Sequence, residues 1–272
     1  ASCICNPRYR RFSTKNTSVA AFDSAYIDTI ITIFMFLAGI NFAMHFRLLR
    51  GEFQPFFANR ETRFYTLITM IGILGISFSL WHFDGYTILE AIRSGAFQAV
   101  AIITTTGFGT DDYELWYSFG AFLLLLFFFT GGSAGSTGGG IKMIRWMILI
   151  RNTGREIKQI IHPKAILPVR IGDQAINQNI QRTVLSFFIL YMFIFGLGAF
   201  IISLFGYDIM SSAGASIAAL GNIGPGWGEF GPTDSFAKMP YLGKWVMIML
   251  MMIGRLEIFT VLIIFSPAFW KQ

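Results

Sequence analysis

Charged side chains are scarce in this 272-residue sequence. Only 13% of the residues are Asp, Glu, Lys or Arg, whereas 54% are hydrophobic and 30 are phenylalanine. A soluble domain carries roughly 25% charged residues. The shortage of charge excludes an ordinary soluble domain and predicts an integral membrane protein.

Cysteine and histidine are also rare. Cys3 and Cys5 are too few for a disulfide framework, and a Cys-x-Cys pair near a terminus is weak evidence for a metal site. The histidines, His45, His82 and His162, are scattered and lack metal-ligand spacing. No nucleophile–base pair for covalent catalysis is visible. We therefore expect no enzyme, no resident metal and no cofactor.

Long apolar segments are what the sequence does contain, and about 20 apolar residues suffice for a helix to cross a bilayer. Such spans are predicted at 26–46, 64–83, 183–206 and about 241–265. A further apolar run, 116–130, is interrupted by glycines and resumes at 141–150. A polar, basic linker follows over 151–182.

Two more apolar segments are too short or too polar to be ordinary spans. The first, about 87–103, begins with a Thr87–Glu90 capping box. The second, 208–220, is rich in Ala, Ser and Gly. Each follows a span and ends at a glycine-containing loop. We interpret both as re-entrant half-helices.

The order span, half-helix, glycine loop and span occurs twice, over 64–150 and 183–265. Gly107 and Gly224 occupy equivalent places, 117 residues apart, which indicates an internal repeat. The span at 26–46 would close an earlier unit. The predicted fold is all-α integral membrane, with repeated helix–pore-loop–helix units, re-entrant half-helices and one broken membrane helix.

The loops after the half-helices form the first candidate site: Thr105, Thr106 and Gly107 in one, and Asn222, Ile223 and Gly224 in the other. Irregular backbone at membrane depth is tolerated only where protein buries it or a wet cavity borders it. The negative C-terminal ends of the half-helices favour a cation, and rings of oxygens can replace its water. The alternative is two unrelated tight turns at the outer surface.

The glycine-rich segment 131–140 is the second candidate site. It fits neither common glycine pattern of nucleotide-binding loops, and spans rather than a strand flank it. We interpret it as a gate in a broken membrane helix, built on Gly131, Gly132, Gly135, Gly138, Gly139 and Gly140. Lys142 would mark the inner end of that helix. Close helix packing through small residues is the alternative, and a nucleotide-using membrane enzyme is a further hypothesis.

Two charges interrupt the last predicted span. Arg255 and Glu257 fall near the middle of 241–265, and residues two apart on a helix do not face each other. Charges inside a membrane usually face the bundle interior or a pathway. Arg255 is therefore interpreted as facing the pore, where it repels cations or holds the glycine-rich segment closed. A snorkelling or structurally paired arginine is the alternative.

Basic residues are concentrated on one side of the predicted topology. If each unit enters and leaves on the same side, 13 of the 21 Lys and Arg residues lie there. The positive-inside rule makes that side cytoplasmic, so both glycine loops enter from outside. Membrane orientation then explains the net charge of +6 better than nucleic-acid binding does.

Three motifs follow one another in the sequence: Thr104-Thr105-Thr106-Gly107-Phe108, the glycine-rich segment ending in Ile141-Lys142, and Gly221-Asn222-Ile223-Gly224-Pro225-Gly226. Together they resemble the Trk/Ktr/HKT superfamily of potassium transporters, nearest the bacterial TrkH and TrkG type. The resemblance covers about 12–270. It implies four repeats around one pore, a homodimer in the lipid of the bacterial inner membrane, and a cytosolic TrkA-type nucleotide-binding regulatory subunit.

The resemblance also implies roles for the candidate residues. Potassium, as the transported ion, would bind the third filter strand at Thr105, Thr106 and Gly107, and the fourth at Asn222, Ile223 and Gly224. The glycine-rich segment would be the intramembrane gating loop, with Arg255 beside it.

The start of the chain departs from the family, because Arg10 and Arg11 stand where glycines would precede Phe12. The resemblance divides the chain into an uninterpreted junction (1–11), the end of a truncated second repeat (12–60), a third repeat (61–160) and a fourth (161–272). Two hypotheses follow. The protein takes up potassium through this filter, or the chain is a non-conducting fragment without the first two filter strands.

Overall fold

The chain folds almost entirely into helices. The computed structural model describes residues 18–164, 167–172, 174–264 and 269–271. The α-helices are α1 (Ala25–Ala38), α2 (Phe42–Leu49), α3 (Phe53–Ala58), α4 (Arg60–His82), α5 (Ile88–Ile103), α6 (Ser118–Phe128), α7 (Met143–Ile161), α8 (Gln178–Ser203), α9 (Ile209–Gly221), α10 (Tyr241–Arg255) and α11 (Ile258–Ile264). The junction 1–11 and the residues 12–17 that follow it lie outside the described residues.

Small elements complete the architecture. Single 3₁₀ turns occur at Ser18–Phe22, Tyr113–Leu115, Gly228–Phe230, Phe236–Lys238 and Phe269–Lys271. One antiparallel hairpin pairs β1 (Arg170–Ile171) with β2 (Gln174–Ala175) inside the predicted linker. The predicted all-α membrane fold is confirmed, with this two-residue hairpin as a minor addition.

Within the part of the chain that the structure describes, two helices, α4 and α8, are long and apolar enough to cross a membrane alone, with mean hydropathies of 1.7 and 2.5. Helix α4 buries Tyr65, Thr69, Gly72, Ile76 and Leu80, at helical spacing. The opposite face is apolar yet exposed, as expected of a surface that meets lipid; it carries Leu67, Ile71, Leu74 and Phe78. The spans predicted at 64–83 and 183–206 are these two helices.

The first predicted span is not one straight helix. Helices α1 and α2 meet at 102°. Asn41 begins α2 because its side chain accepts a hydrogen bond from the Ala43 N–H at 2.8 Å. Gly39 lies against Tyr65 and Thr104, where an added Cβ would come within 2.9 Å of the Thr104 side chain. The span predicted at 26–46 is therefore a bent pair of helices rather than one helix, because a capping residue and a close packing contact bend the chain there.

The last predicted span is also broken. Helix α10 ends at Arg255 and α11 begins at Ile258, with Glu257 between them at φ 57°. A non-glycine residue at positive φ cannot continue a right-handed helix. The prediction of one helix over 241–265, with Arg255 and Glu257 in its middle, was wrong. Both charges lie at a helix break instead.

The boundaries around the glycine-rich segment also differ from expectation. Helix α6 is shorter than the apolar run 116–130, whereas α7 continues to Ile161 through the first part of the predicted linker. Only Met143, Met147 and Ile148 of α7 are buried. The polar composition of this segment was a misleading sign of a linker. A helix that packs along one narrow face can carry its charged side chains on the rest of its surface, which is exposed.

The half-helices are the most deeply buried elements. Helix α5 packs against α4 and α1, and α9 packs against α8 and α10. The contacts are close because small residues face one another: a Cβ on Gly95 would come within 2.7 Å of the Ser77 hydroxyl, and one on Gly198 within 2.6 Å of the Ser216 hydroxyl. The same arrangement, a short buried helix between two longer ones, thus occurs twice.

Candidate functional site

Each half-helix begins at an exposed cap. In α5 the Thr87 hydroxyl accepts from the Glu90 N–H at 3.4 Å, and the Glu90 carboxylate accepts from the Thr87 N–H at 3.2 Å. The predicted capping box is confirmed. In α9 the Asp208 carboxylate accepts from Met210 N–H at 3.1 Å. Hydrogen bonds from Ser211 hold the pKa of Asp208 below its ordinary value.

The first half-helix ends inside the protein in a left-handed turn. Thr106 N–H donates to Ala101 O at 2.8 Å, and Thr105 N–H donates to Ile102 O at 2.9 Å. This pair of bonds is the Schellman motif, which requires a left-handed residue after the helix. Thr105 takes that conformation, with φ 54°.

The second half-helix ends in the same way. Ile223 N–H donates to Ala218 O at 2.9 Å, and Asn222 N–H donates to Ala219 O at 3.0 Å. Asn222 has φ 57° and occupies the position of Thr105. The repeat predicted from glycine spacing therefore extends to matching hydrogen bonds and dihedral angles.

Two glycines follow at matching places and bring the turns together. Gly107 has φ 72° and Gly224 has φ 126°. A Cβ on Gly107 would overlap the Ile223 carbonyl oxygen, and one on Gly224 would lie 3.8 Å from the Gly107 Cα. Thr105, Thr106, Asn222 and Ile223 are all at most 5% exposed. The candidate residues of the two loops thus form one buried cluster, which does not fit two separate turns at the surface.

The threonine hydroxyls in the first turn are already engaged. Thr104 donates to Val100 O at 2.7 Å, so the 2.8 Å contact between the Thr104 and Thr106 hydroxyls has Thr106 as donor. Within the described residues, no group donates a hydrogen bond to the carbonyl oxygens of Thr105, Thr106 or Gly107. Buried carbonyls normally have a donor. These oxygens therefore remain available to a cation.

The glycine-rich segment leaves and rejoins the helical bundle at one place. Thr130 and Ile141 form a parallel bridge, and Gly131 N–H donates to Ile141 O at 2.9 Å. Met143 N–H donates to Gly132 O at 3.2 Å. Helices α6 and α7 are therefore separated by a closed loop, which contains all six glycines of the predicted gate.

This loop touches both turns. Gly139 N–H donates to the Thr105 hydroxyl at 2.7 Å. A Cβ on Gly139 would overlap the Gly221 carbonyl oxygen, and one on Gly138 would come within 3.3 Å of the Thr104 carbonyl oxygen. Glycine is needed at 139, and a larger residue at 138 would fit only tightly, because the loop backbone lies directly against the ends of both half-helices.

The bend between α1 and α2 holds the far side of the loop. Ser133 N–H donates to Gly39 O at 2.9 Å, and Phe42 N–H donates to Gly135 O at 3.3 Å. The Glu61 carboxylate accepts from Ala134 N–H at 2.6 Å. Sequence reasoning missed these anchors, since nothing local marks Gly39 or Glu61 as partners of a loop about 75 to 95 residues away.

Basic side chains contact the loop from the other side. Lys142 donates to Gly138 O at 2.5 Å, and Arg255 donates to Thr137 O at 3.0 Å. Arg145, which was not among the predicted site residues, pairs with Glu257 at 2.8 Å. Lys142 and Arg255 thus lie beside the loop, and both bind its backbone directly.

Acidic residues follow the first turn along the chain. Asp112 accepts from the Thr233 hydroxyl at 3.3 Å, and Asp111 accepts from the Tyr86 hydroxyl at 2.8 Å. Burial, together with the hydrogen bond to Asp111, raises the pKa of Tyr86 to about 12. Burial also raises the pKa of Glu114, with the charges of neighbouring carboxylates adding to the effect. This concentration of carboxylates favours cations near the two turns.

The fold and this buried cluster define a multi-pass membrane protein of repeated helix–pore-loop–helix units. The sequence model of the TrkH family, described as a cation transport protein, matches residues 11–272. The chain belongs to that family, whose members are transport proteins rather than enzymes.

Individual relatives agree with this assignment. The chain is 38% identical over 263 residues to the Trk system potassium uptake protein TrkH of Salmonella typhimurium strain LT2, and 33% identical over 262 residues to TrkG of Escherichia coli K12. Each alignment covers 96% of this chain and 54% of the relative. The chain therefore spans about half the length of the curated relatives it matches.

A solved structure shares the fold. The crystal structure of the potassium transporter TrkH from Vibrio parahaemolyticus superposes with a TM-score of 0.89 at 35% identity. The match covers 96% of this chain and 56% of that one. The repeated units with re-entrant half-helices are therefore an arrangement that this chain has in common with an experimentally determined relative.

Proposed function

We propose that this chain supplies two strands of a potassium filter in a Trk-type uptake protein. The observation that carries the proposal is the repeated left-handed turn at Thr105 and Asn222, together with the contact between Gly107 and Ile223. Two buried helices end at one place, and both bring the negative ends of their dipoles there. Backbone oxygens at such a place can replace the water around a potassium ion.

The filter in this proposal consists of Thr105, Thr106 and Gly107 from one turn and Asn222, Ile223 and Gly224 from the other. The available carbonyls of the first turn and the neighbouring carboxylates support it, as do the names of the relatives. The ion is the transported substrate, and the chain would hold no cofactor.

The glycine-rich loop would be the gate below this filter. Its contact with Thr105, and the donors Lys142 and Arg255 that bind its backbone, support this role. Opening would require these bonds to break. The glycines allow that movement at low steric cost.

The proposal also includes the membrane location of the protein and its partners. Family membership and the apolar exposed faces of α4 and α8 support a location in the bacterial inner membrane, in contact with lipid. A homodimer, and a cytosolic TrkA-type subunit that binds nucleotide, are proposed on the family resemblance alone. Nucleic acid has no role in it.

The test is potassium-limited growth of an uptake-deficient bacterial strain. The intact gene that encodes this sequence should restore growth. A double Gly107→Ala/Gly224→Ala variant should not, while the matched Gly85→Ala/Gly206→Ala variant should, because those two glycines also have positive φ but no atom within 4 Å of an added Cβ. Growth of the filter variant equal to that of the control would overturn the proposal. Expression of this chain alone tests the fragment hypothesis, which predicts that only the intact gene restores growth.

A further inference from the structure

The chain just beyond each left-handed turn is bonded to a segment that comes earlier in the sequence. Gly109 and Gly226 occupy matching places, each two residues after the glycine that brings the turns together. The Gly109 carbonyl accepts from Val19 N–H and Ala20 N–H, both at 3.2 Å. The Gly226 carbonyl accepts from the Tyr113 hydroxyl at 2.5 Å. Each carbonyl is therefore held by a segment that precedes its own helix–pore-loop–helix unit.

The two connections differ in the kind of donor. Backbone N–H groups hold Gly109, and these are present whatever side chains the sequence carries there. A single side chain holds Gly226 instead. Tyr113 is 0% exposed, and its ring packs on Trp227 and Phe128 with centroids 4.9 Å and 6.3 Å away. Because the ring is packed in this way, loss of the hydroxyl alone should leave it in place.

The 3₁₀ turn that carries Tyr113 is itself anchored on both sides. Gln98 of α5 is 1% exposed, and its side-chain amide donates to Asp111 O at 2.8 Å. The Asp112 carboxylate accepts from the Thr233 hydroxyl at 3.3 Å. Helix α5 is therefore connected through this 3₁₀ turn to the chain that follows the left-handed turn of α9.

The chain at Gly226 needs an external anchor because glycines make it adaptable. Gly224 has φ 126°, and glycine restricts the backbone less than any other residue. Pro225 stands between Gly224 and Gly226 with a fixed φ. The Pro225 ring would also lie 3.1 Å from a Cβ added to Gly107. A displacement of Gly226 would therefore pass through Pro225 to the place where the two turns meet.

We propose that Tyr113 is a positioning residue for the filter: its hydrogen bond to Gly226 fixes the outer end of the strand Asn222–Gly224, and this sets the preference for potassium over sodium. This role rests on the potassium filter proposed above. Carbonyl rings select an ion by the size of the cavity or by the number and field strength of their dipoles, and both depend on where the carbonyls are held. A strand that is free at its outer end can close around the smaller ion, so loss of the bond lowers selectivity.

The test uses the full-length protein in proteoliposomes, with rubidium as the substitute for potassium. Rubidium and sodium fluxes at equal concentration are measured together with the thermal unfolding midpoint. Tyr113→Phe keeps the buried ring and removes the donor to Gly226. The ratio of rubidium to sodium flux should fall about fivefold, the factor that corresponds to one ordinary hydrogen bond. An unchanged ratio would overturn the proposal, whatever happens to the unfolding midpoint.

Tyr65→Phe is the matched control for the loss of a buried hydroxyl. Tyr65 is also 0% exposed, and its hydroxyl donates to Phe36 O in α1 at 3.0 Å, rather than to the chain beside a filter strand. This variant should lower the unfolding midpoint by a similar amount and leave the flux ratio unchanged. An equal fall in the ratio for both variants would show that any lost buried hydrogen bond weakens selectivity, and it would overturn the specific role of Tyr113.

Gln98→Met tests the same connection from its other end and does not depend on the folding of Tyr113→Phe. The variant keeps an unbranched side chain in α5 but removes the donor to Asp111 O. Because the 3₁₀ turn then loses its bond to α5, Tyr113 is held less firmly, and the flux ratio should fall by less than fivefold. Should Tyr113→Phe not fold, a wild-type ratio in Gln98→Met would overturn the proposal.

The wild type distinguishes this role of Tyr113 from the potassium filter itself. If the wild type carries rubidium and sodium equally, the filter proposal fails and the role of Tyr113 fails with it. If the wild type favours rubidium and Tyr113→Phe favours it to the same extent, the filter proposal stands and only the role of Tyr113 is overturned.

Discussion

The two turns have the same backbone conformation, but the side chains of their left-handed residues, Thr105 and Asn222, contact different partners. Asn222 suits a positive φ, whereas a β-branched residue such as Thr105 is strained there, by about 1–3 kcal/mol. The hydroxyl of Thr105 accepts from Gly139 in the glycine-rich loop at 2.7 Å. The Asn222 amide instead donates to Met251 O on α10 at 3.0 Å.

This difference indicates a division of roles. The first turn contacts the candidate gate through its side chain, and the second turn contacts the last long helix through its own. The shared backbone supports the proposed common ion site, whereas the different side chains link the two turns to different neighbours, the glycine-rich loop and α10. The strain at Thr105 is then a consequence of placing a hydroxyl against the loop.

The largest predicted effect comes from the glycines that bring the turns together. Gly107→Ala adds a Cβ that overlaps the Ile223 carbonyl, on top of a positive φ, and should cost about 3 kcal/mol and abolish potassium uptake. Gly224→Ala meets no such overlap and should cost about 1–2 kcal/mol. Unfolding midpoints and rubidium uptake of the full-length protein measure both.

Gly85→Ala is the control for that comparison, since Gly85 has φ 74° and no atom within 4 Å of an added Cβ. It should lose stability through φ alone and retain uptake. Equal losses of uptake for Gly107→Ala and Gly85→Ala would mean that the contact between the turns is unimportant.

The next prediction distinguishes the roles of the Thr105 and Asn222 side chains in the two turns. Thr105→Val keeps β-branching but leaves the buried Gly139 N–H unpaired, which should cost about 1–3 kcal/mol and raise potassium flux by loosening the loop. Asn222→Gly keeps the left-handed conformation and loses the hydrogen bonds of the amide, among them those to Met251 O and Leu220 O, so stability should change by about 1 kcal/mol without increased flux. Flux assays in proteoliposomes distinguish them. A rise in flux for Asn222→Gly as large as for Thr105→Val would contradict the division of roles.

The smallest effect concerns the N-terminal caps. The lowered pKa of Asp208 means that its ionised form stabilises the folded state. That contribution is present in full above its ordinary pKa of about 4 and is lost as the pH falls through the lower folded-state value. Asp208→Asn should therefore be less stable than the wild type at pH 7, by about 0.3–1 kcal/mol, and equal to it at the acid end.

Thr87→Ser provides the comparison at the other cap, because it keeps the hydroxyl that begins α5. Its stability difference from the wild type should not change with pH. Thermal unfolding of both variants between neutral and acid pH tests this. A pH-independent difference for Asp208→Asn would mean that its charge is not what stabilises α9.

Elements whose causes are local were predictable from the sequence. The start of α5 was visible in Thr87 and Glu90, and the equivalence of the loops was visible in the spacing of Gly107 and Gly224. The membrane-spanning character of α4 and α8 was predictable from length and apolar composition alone. The candidate filter residues were found in this way, and the structure brings them into one cluster.

Features that depend on distant partners could not be predicted. The bend after α1 involves Gly39, Tyr65 and the glycine-rich loop, and the break before α11 involves Glu257 and Arg145, which is 112 residues away. The left-handed conformation of Thr105 opposes its intrinsic preference. Its only sequence signal was its place 117 residues before Asn222, a residue type that tolerates that conformation.

The most direct test of the central claim is anomalous diffraction from crystals of the full-length protein grown with rubidium as a potassium substitute. A single filter shared by both turns predicts rubidium peaks bordered by carbonyl oxygens of Thr105–Gly107 and of Asn222–Gly224 together. Peaks bordered by one turn only, or located away from both, would contradict it.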